Sequence, residues 1–412
     1  MIDRHILKTI EASRKHFPCV LVTGPRQIGK STLLRNTYEG NGYSYVSLDD
    51  ALERNLAIGD PRTFLSVHPW PLVIDEAQKA PELFPEIERI VNDTRSRKGN
   101  KAAAGMFILS GSSRHQLLDA AEESLAGRVG IINMDSLSIS EIIGRRNLPF
   151  LTDIGSIQNR YAHDSYTLDH IFDYVVKGTL PQLYDDPDTP RDIFFSSYIT
   201  TYIEKDLREI LDVRDEIKFT NFMRILASNT GQELIYDNYA KEIGIDIKTA
   251  KAWISALSKT GIIYLLEPYN EQSIVKRIVK RPKVYYFDTG LASYLAGIDT
   301  SSTLVRSFLK GRFFETFAMN EIRKSFRNEG INQNLFYYRD NNQNEIDLVY
   351  IRDGALFRIE MKSGSAFNTS DVKSFKQLDQ SSFMKGNRAI VCTADKLSAL
   401  SDGTLLVPVS SI

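Results

Sequence analysis

Short apolar runs alternate with helix-like segments through the first 190 residues. Nearly continuous aliphatic runs are typical of parallel strands that are covered on both faces. Helical periodicity between such strands is typical of crossover helices. The runs that predict strands are Cys19 to Val22, Tyr45 to Leu48, Leu72 to Ile74, Phe107 to Leu109 and Ile131 to Asn133. The pattern therefore predicts an α/β domain with a parallel sheet over residues 1–190.

A glycine-rich segment follows the first of these strands. Residues 24–31 read Gly-Pro-Arg-Gln-Ile-Gly-Lys-Ser and fit the pattern G-x-x-x-x-G-K-[ST], after which helical periodicity begins. In this context backbone N–H groups and the positive end of the helix face an anion. We expect Lys30 to reach the β- and γ-phosphates of ATP and Ser31 to bind Mg²⁺. The predicted nucleotide contacts are Gly24, Pro25, Arg26, Gln27, Ile28, Gly29, Lys30, Ser31 and Thr32.

Two acids, Asp75 and Glu76, end the third apolar run. Ligands bind at the carboxyl ends of parallel strands. We predict that Asp75 joins the Mg²⁺ shell opposite Ser31 and that Glu76 orients and polarises the attacking water. The fourth run ends at Ser110, which is the first choice for a γ-phosphate sensor, with Ser112 as the second. A plain Gly/Ser turn is the alternative for both serines. The loop pattern reads phosphates and not the purine, so it leaves ATP and GTP open.

Arg128 follows a small-residue turn, Leu-Ala-Gly-Arg, after a helical stretch. An arginine in this position is either a finger that neutralises charge on the transferred phosphoryl group or a surface arginine at a helix end. The residues alone favour the surface arginine.

These motifs together resemble those of a family of bacterial and archaeal AAA-type ATPases. The matching stretches are LVTGPRQIGKSTLL, LVIDEAQKAPELF, FILSGSS and LAGRV. In that family the ATPase module precedes a nuclease-like C-terminal domain of unknown function. The resemblance implies that Arg128 is a finger acting in trans and that the protein is a homo-oligomer. It also implies that the strand ending at Ser110 lies between the strand before the phosphate loop and the strand ending at Asp75.

The middle of the chain, residues 191–300, has a pattern of helix, turn at Gly244, helix and strand. A helix is also predicted from Ile193 to Leu211. The order of elements is typical of a winged helix-turn-helix domain. Its second helix carries Lys248, Lys251 and Ser255 opposite the apolar stripe, and residues 276–283 are strongly basic. These positive charges either contact a duplex backbone or are solvated on a helical spacer, and the sequence leaves both readings open.

Residues 301–412 combine a helix, a hairpin and a further strand with acidic residues. The order resembles the PD-(D/E)xK nuclease fold, although Asp347 follows Glu-Ile in place of proline. Glu360 and Lys362 are two apart on a predicted strand, so they point to the same face. The predicted ligands of Mg²⁺ or Mn²⁺ are Glu315, Asp347 and Glu360, and Lys362 is predicted to position or deprotonate water. A strand with solvated charges, or a fold that has lost its activity, is the alternative.

Two residues of the hairpin, Val349 and Ile359, are predicted to share its core face. Ala389 to Cys392 and Leu405 to Val407 are predicted to be the remaining core strands. The sequence thus predicts an ATPase domain at 1–190, a winged-helix domain at 191–300 and a nuclease-like domain at 301–412.

Composition narrows the classes of partner. The chain has 412 residues, 42% apolar and 25% charged, and a formal net charge of -1. It therefore has no overall basic field to hold nucleic acid, so any such contact must be local. Two cysteines in separate apolar runs indicate buried thiols in a reducing compartment, not a disulfide framework. We expect a cytoplasmic protein without a membrane partner, because no signal pattern and no apolar run of membrane length is present.

The patterns support one main hypothesis and one from a different class. The main hypothesis is an ATP-hydrolysing protein whose C-terminal domain binds, and in its strongest form cleaves, DNA or RNA under nucleotide control. The alternative is a nucleotide-dependent switch in which the nuclease-like domain is catalytically silent and serves as a docking surface.

Overall fold

The computed structural model describes residues 2–112, 114–161, 170–202, 215–271 and 281–412. The chain forms two compact units. Unit 1 comprises Met1–Leu137, Lys259–Gly261 and Arg327–Gly330, and unit 2 comprises Ser138–Ser258, Ile262–Phe326 and Ile331–Ile412. The predicted division at residues 190 and 300 stays a prediction. Within unit 2, residues of the predicted middle and C-terminal segments share the buried ion pairs described below.

Unit 1 is built on a five-stranded parallel sheet. Its strands are β1 (Cys19–Thr23), β2 (Ser44–Ser47), β3 (Leu72–Asp75), β4 (Phe107–Gly111) and β5 (Val129–Asn133). They are arranged in the order β2-β3-β4-β1-β5, and each neighbouring pair is parallel. Every residue of β1, β3 and β4 is buried, so both faces of these strands are covered. All five predicted strands are confirmed, and β4 lies between β1 and β3 as the family resemblance implied.

Helices connect these strands. The helices of unit 1 are α1 (Ile6–Arg14), α2 (Lys30–Tyr38), α3 (Ala51–Gly59), α4 (Pro61–Val67), α5 (Leu83–Lys98), α6 (Asn100–Ala103) and α7 (Arg114–Ser124). A short 3₁₀ turn covers Ala77–Lys79. Local capping explains where some of them start: the Asp50 carboxylate accepts from the backbone N–H groups of Leu52 and Glu53 at the start of α3. Helix α2 begins directly after the glycine loop, so its N-terminus lies beside that loop.

Unit 2 contains two sheets. Its strands are β6 (Gln232–Glu233), β7 (Ile263–Leu266), β8 (Lys283–Tyr286), β9 (Phe336–Arg339), β10 (Glu345–Arg352), β11 (Ala355–Lys362), β12 (Met384–Cys392), β13 (Ser398–Ala399) and β14 (Leu405–Pro408). The smaller sheet is antiparallel, in the order β6-β8-β7. The larger sheet is mixed, in the order β13-β14-β12-β11-β10-β9. The predicted C-terminal strands are therefore present, and they form one sheet.

The remaining helices lie wholly or mostly in unit 2. They are α8 (Ile139–Ile142), α9 (Ile154–Tyr161), α10 (Ile171–Lys177), α11 (Gln182–Asp185), α12 (Arg191–Tyr202), α13 (Glu216–Ser228), α14 (Tyr236–Ile243), α15 (Ile247–Lys259), α16 (Thr289–Leu295), α17 (Ser301–Arg306) and α18 (Lys310–Arg327). Two 3₁₀ segments cover Thr369–Leu378 and Val409–Ser411.

The predicted helix, turn and helix of the middle segment are confirmed as α14 and α15. Gly244 ends α14 in the left-handed conformation, which glycine adopts without strain. Asp246 accepts from the backbone N–H of Thr249 at 2.8 Å at the start of α15. Lys248, Lys251 and Ser255 are exposed, whereas residues 276–280 of the basic segment and 203–211 of the predicted helix lie outside the described residues. The winged-helix assignment itself stays a prediction.

The hairpin corrects one prediction about its core. Leu348 pairs with Ile359 across β10 and β11, and Val349 pairs with Arg358. Directly opposite residues share a face, so Val349 and Ile359 point to opposite faces. Both are fully buried because the sheet is covered on both sides.

Both cysteines, Cys19 and Cys392, are buried free thiols, as expected. Burial raises the pKa of Cys19 to about 12 and that of Cys392 to about 11, so neither is reactive near neutral pH. In the part of the chain that the structure describes, no helix has the length and apolar character needed to cross a bilayer.

Candidate functional site

The glycine loop between β1 and α2 folds around the ammonium group of its own lysine. Lys30 is buried, and its Nζ donates to the carbonyl oxygens of Gly24 at 2.8 Å and Pro25 at 2.6 Å. Gly29 at the start of α2 and Gln27 both have positive φ, at 88° and 58°. These turns fold the loop back over the N-terminus of α2, where backbone N–H groups suit an anion.

Gly24 at the end of β1 has no room for a side chain. A Cβ there would lie 2.2 Å from the carbonyl oxygen of Met134 and 2.7 Å from Cδ1 of Ile28. Ser31 and Thr32 in the first turn of α2 are exposed. The structure thus places the predicted loop residues in one continuous turn at the carboxyl end of β1.

Asp75 ends β3 with both carboxylate oxygens occupied. Its Oδ1 accepts from the Ser110 hydroxyl, and its Oδ2 accepts from the Tyr45 hydroxyl at 3.0 Å. Burial, and next the Asp75 charge, raises the pKa of Tyr45, which therefore stays a donor. The Arg35 guanidinium lies 4.6 Å from the centre of the Tyr45 ring. The predicted sensor Ser110 therefore contacts the predicted metal ligand, and its sensor role stays a prediction.

Glu76 follows in the left-handed conformation, with φ at 55°. Its Oε2 accepts from the Gln78 side-chain amide at 2.5 Å and from the Ser112 hydroxyl at 2.9 Å. Because Gly111 has no side chain, Gln78 can approach β4: a Cβ at Gly111 would lie 2.0 Å from Gln78 Oε1. Ser112 thus holds the carboxylate that is predicted to orient water.

Tyr45 and Gln78 were missed by sequence reasoning. Tyr45 reaches Asp75 because β2 and β3 are neighbouring parallel strands. This pairing is a property of the sheet and cannot be read from either strand alone. Gln78 lies two residues after Glu76, and the turn that brings its amide back to the carboxylate is set by the left-handed Glu76.

Arg128 lies at the other end of the sheet from the phosphate loop. It directly precedes β5, and its carbonyl oxygen accepts from the N–H of Cys19, the first residue of β1. The length of β1, about 16 Å at 3.3 Å per residue, separates the two ends. The Arg128 guanidinium contacts α5, at 2.9 Å from Asn92 Oδ1 and 3.2 Å from Glu88 Oε1. Arg128 therefore does not reach the loop of its own subunit.

A second group of charges lies in unit 2, and we call Glu315, Glu345, Asp347 and Glu360 the acidic cluster. At its centre is Lys283 of β8, whose side chain is 2% exposed. Lys283 Nζ lies 2.9 Å from Glu315 Oε1, 2.6 Å from Glu345 Oε1 and 3.6 Å from Asp347 Oδ1. The sequence analysis placed Lys283 in the basic segment 276–283, either contacting a duplex backbone or solvated; both readings are wrong for Lys283, because its side chain is buried among carboxylates. It assigned no role to Glu345. A lysine opening a short apolar run, Lys-Val-Tyr-Tyr, was the available signal, because lysine is rarely buried unless paired.

The predicted metal ligands also accept hydrogen bonds from other protein groups. Glu315 Oε1 accepts from the Tyr285 hydroxyl at 2.6 Å. Asp347 Oδ2 accepts from a backbone N–H of β11 at 2.8 Å. Glu360 accepts from the Ser374 hydroxyl at 3.1 Å and pairs with Lys362 Nζ at 3.1 Å. The structure therefore brings the four predicted residues, Glu315, Asp347, Glu360 and Lys362, together. Each of them forms a hydrogen bond or an ion pair with another group of the protein.

Burial and nearby charges shift the pKa values of Glu315, Glu360 and Lys283. Burial raises the pKa of Glu315 to about 7, and the Lys283 charge opposes this shift. Burial, and next the charge of Asp347, raises the pKa of Glu360 well above its usual range. Burial lowers the pKa of Lys283, but the charge of Glu315 and its neighbours outweighs it, so the ammonium stays protonated.

The arrangement does not fit a divalent metal at the acidic cluster. Across the described ranges, no group of three or more His, Cys, Asp and Glu side chains is arranged to hold a metal ion. At the phosphate loop, by contrast, the Ser31 hydroxyl and the Asp75 carboxylate are hard oxygen donors of the kind that Mg²⁺ prefers.

Comparison with known proteins identifies related segments. Residues 16–143 match the family profile described as an AAA domain. Residues 168–302 and 310–412 match two domains of unknown function, DUF8612 and DUF4143. An uncharacterized protein of Mycobacterium tuberculosis is 28% identical over 400 residues, covering 96% of this chain and 81% of that protein, and one of Mycobacterium bovis gives the same values.

One solved structure shows a weak overall similarity to this chain. The Walker-type ATPase of Pyrococcus abyssi has a TM-score of 0.43 at 15% identity, covering 72% of this chain and 96% of that one. That likeness is too weak to carry an argument. The profile match and the parallel sheet with its glycine loop agree: residues 16–143 are similar to AAA domains.

Proposed function

We propose that this protein binds ATP with Mg²⁺ and hydrolyses it at the phosphate loop of unit 1. The supporting observation is that the loop after β1 and the acids that end β3 lie at the same edge of one parallel sheet, with β4 between them. Ligands of open α/β sheets bind at this carboxyl edge. The loop, the buried lysine and the two acids are the parts that phosphoryl transfer to water requires.

Each residue has a defined task in this proposal. The Lys30 ammonium exchanges its loop carbonyls for phosphate oxygens and offsets their charge. Ser31 and Asp75 hold Mg²⁺, which neutralises charge on the phosphates when bound. Glu76 orients and polarises the attacking water, and Ser112 positions its carboxylate. Tyr45 acts through Asp75 and is therefore a positioning residue.

The direct test is phosphate release from ATP and Mg²⁺ by the purified protein. We expect Lys30→Ala to reduce turnover by about 10²-fold or more, because a preorganised positive donor at the phosphates is lost. Lys101→Ala, which removes an exposed lysine of α6, is the matched control and should leave turnover unchanged. Equal turnover in wild type and Lys30→Ala would contradict the proposal.

A second expected result concerns Tyr45→Phe. This change removes the hydroxyl that holds Asp75 Oδ2 and keeps the ring beside Arg35. We expect the Mg²⁺ concentration needed for half-maximal ATPase activity to rise about ten-fold, because partners of metal ligands contribute on this scale. Tyr43→Phe is the control, since the Tyr43 hydroxyl donates to the Gly105 carbonyl oxygen, outside the proposed metal shell. An equal shift in both variants would refute the role of Tyr45.

For unit 2 two hypotheses follow from the sequence. The first, that this part binds and cleaves DNA or RNA with Mg²⁺ or Mn²⁺, stays a prediction. The second is a nucleotide-dependent switch whose nuclease-like part is a docking surface. The engagement of Glu315, Asp347 and Glu360 by protein groups favours the second. We therefore propose that ATP turnover drives a switch, and that the acidic cluster does not hydrolyse phosphodiesters.

A further inference from the structure

We infer that the ammonium of Lys283 is the resident cation of the acidic cluster and takes the place that a divalent metal would occupy there. The carboxylates that the sequence marks as metal ligands are charge-balanced by a residue of their own chain. This inference does not depend on ATP hydrolysis, and its failure would leave the proposed ATPase untouched.

The geometry around Lys283 is that of a coordinated cation. An ammonium group has three N–H donors and no acceptor, and Lys283 Nζ meets carboxylate oxygens of three acids, Glu315, Glu345 and Asp347. The three acids come from two separate elements, α18 and β10, while the lysine comes from β8. A compact, fully buried positive charge with three carboxylate partners is what a small metal ion provides in other acidic clusters.

Two strands of different sheets supply this arrangement. Residues two apart on a strand share a face, which directs Lys283 and Tyr285 of β8 together toward Glu315 Oε1. The same spacing places Glu345 and Asp347 together on β10. The lysine therefore contacts acids from several directions, and its removal would leave the buried carboxylates of Glu315 and Asp347 without the Lys283 charge.

The remaining acid of the cluster has a cation of its own. Glu360 pairs with Lys362, and its other oxygen accepts from Ser374. The Glu360–Lys362 pair does not involve Lys283. It too balances a carboxylate of the cluster with a lysine of the same chain.

Lys324 provides a natural comparison within the same unit. Its side chain is also 2% exposed, and its Nζ lies 3.0 Å from Glu321 Oε1 and 3.0 Å from the Thr179 hydroxyl. Removing Lys324 takes a buried ammonium away from Glu321, outside the acidic cluster, whereas removing Lys283 takes one away from Glu315, Glu345 and Asp347, of which Glu345 still pairs with Arg339 at 3.3 Å. The two buried lysines form a matched pair for experiment.

The test measures Mn²⁺ binding to the full chain. The electron paramagnetic resonance signal of free Mn²⁺ reports how much of the ion remains unbound. Every protein carries Asp75→Asn, so that the proposed metal position at the phosphate loop does not contribute. The parent is compared with Lys283→Ala, Lys324→Ala and Asp347→Asn, and with Lys283→Ala combined with Asp347→Asn. Circular dichroism establishes that each protein is folded.

We expect Lys283→Ala to bind one Mn²⁺ at least about ten-fold more tightly than the parent. Mn²⁺ should also raise the melting temperature of Lys283→Ala, because a ligand that binds the native state stabilises it. The added Asp347→Asn change should abolish this gain, and Lys324→Ala should show none. A folded Lys283→Ala that gains no Mn²⁺ would overturn the inference.

The parent protein gives a second test that does not depend on the lysine variants. If Mn²⁺ binding by the parent is the same with and without Asp347→Asn, the cluster holds no divalent ion and the inference stands. If the parent binds one Mn²⁺ that Asp347→Asn removes, the inference fails. This comparison decides the matter even if Lys283→Ala does not fold.

Discussion

Glu76→Gln is expected to leave ATP binding intact and to slow phosphate release by about 10²- to 10⁴-fold, the range that a positioned general base contributes. The amide keeps the size of the carboxylate and an acceptor for the Ser112 hydroxyl. It carries no charge with which to polarise water. Binding of a fluorescent ATP analogue and release of phosphate measure the two properties separately.

A nearby glutamate provides the control for this experiment. Glu82 is exposed just before α5, and Glu82→Gln should change neither binding nor turnover. Unchanged turnover in Glu76→Gln would show that the water-orienting residue has been assigned wrongly. Loss of ATP binding in Glu76→Gln would place the residue in the nucleotide cradle instead.

Arg128→Ala is expected to reduce turnover by about 10³-fold while ATP binding stays normal, on the scale of other arginine fingers. The physical reason is that a guanidinium supplied by a neighbouring subunit neutralises charge that develops on the transferred phosphoryl group. In its own subunit Arg128 lies at the opposite end of the sheet from the loop, so such a role requires a homo-oligomer. Turnover and binding are measured as for Glu76.

Two further experiments separate a finger from a structural arginine. Glu88→Gln removes the carboxylate partner of Arg128 on α5 and leaves the guanidinium in place. A finger predicts normal turnover in Glu88→Gln, whereas a purely structural arginine predicts similar losses in both variants. Mixing Arg128→Ala with Lys30→Ala subunits should partly restore turnover, since each supplies what the other lacks. Absence of restoration would argue against action in trans.

The strands of unit 1 were predicted correctly because their signals are local. Each strand of the parallel sheet is a short aliphatic run, and the glycine loop needs particular residues at fixed spacing, as the missing space at Gly24 shows. The order of the strands was implied by a family resemblance and not by periodicity. The partners of Asp75 were out of reach, because Tyr45 meets it across two neighbouring strands.

The acidic cluster could be predicted only in part from the sequence. A resemblance to the PD-(D/E)xK nuclease fold identified Glu315, Asp347, Glu360 and Lys362 as a group, and the structure does bring them together. It did not identify Lys283, which comes from a segment assigned to a different domain. Ion pairs between residues far apart in the chain leave no pattern along it, so the charge balance of the cluster was invisible.

The sequence by itself determined the strands, the phosphate loop and the residue types available for chemistry, because backbone turns and hydrophobic periodicity are set by near neighbours. The tertiary structure alone decided which charges face one another. Electrostatic interactions act through space between elements that the fold brings together. For that reason it was the fold that placed Arg128 away from its own loop and filled the acidic cluster with a lysine.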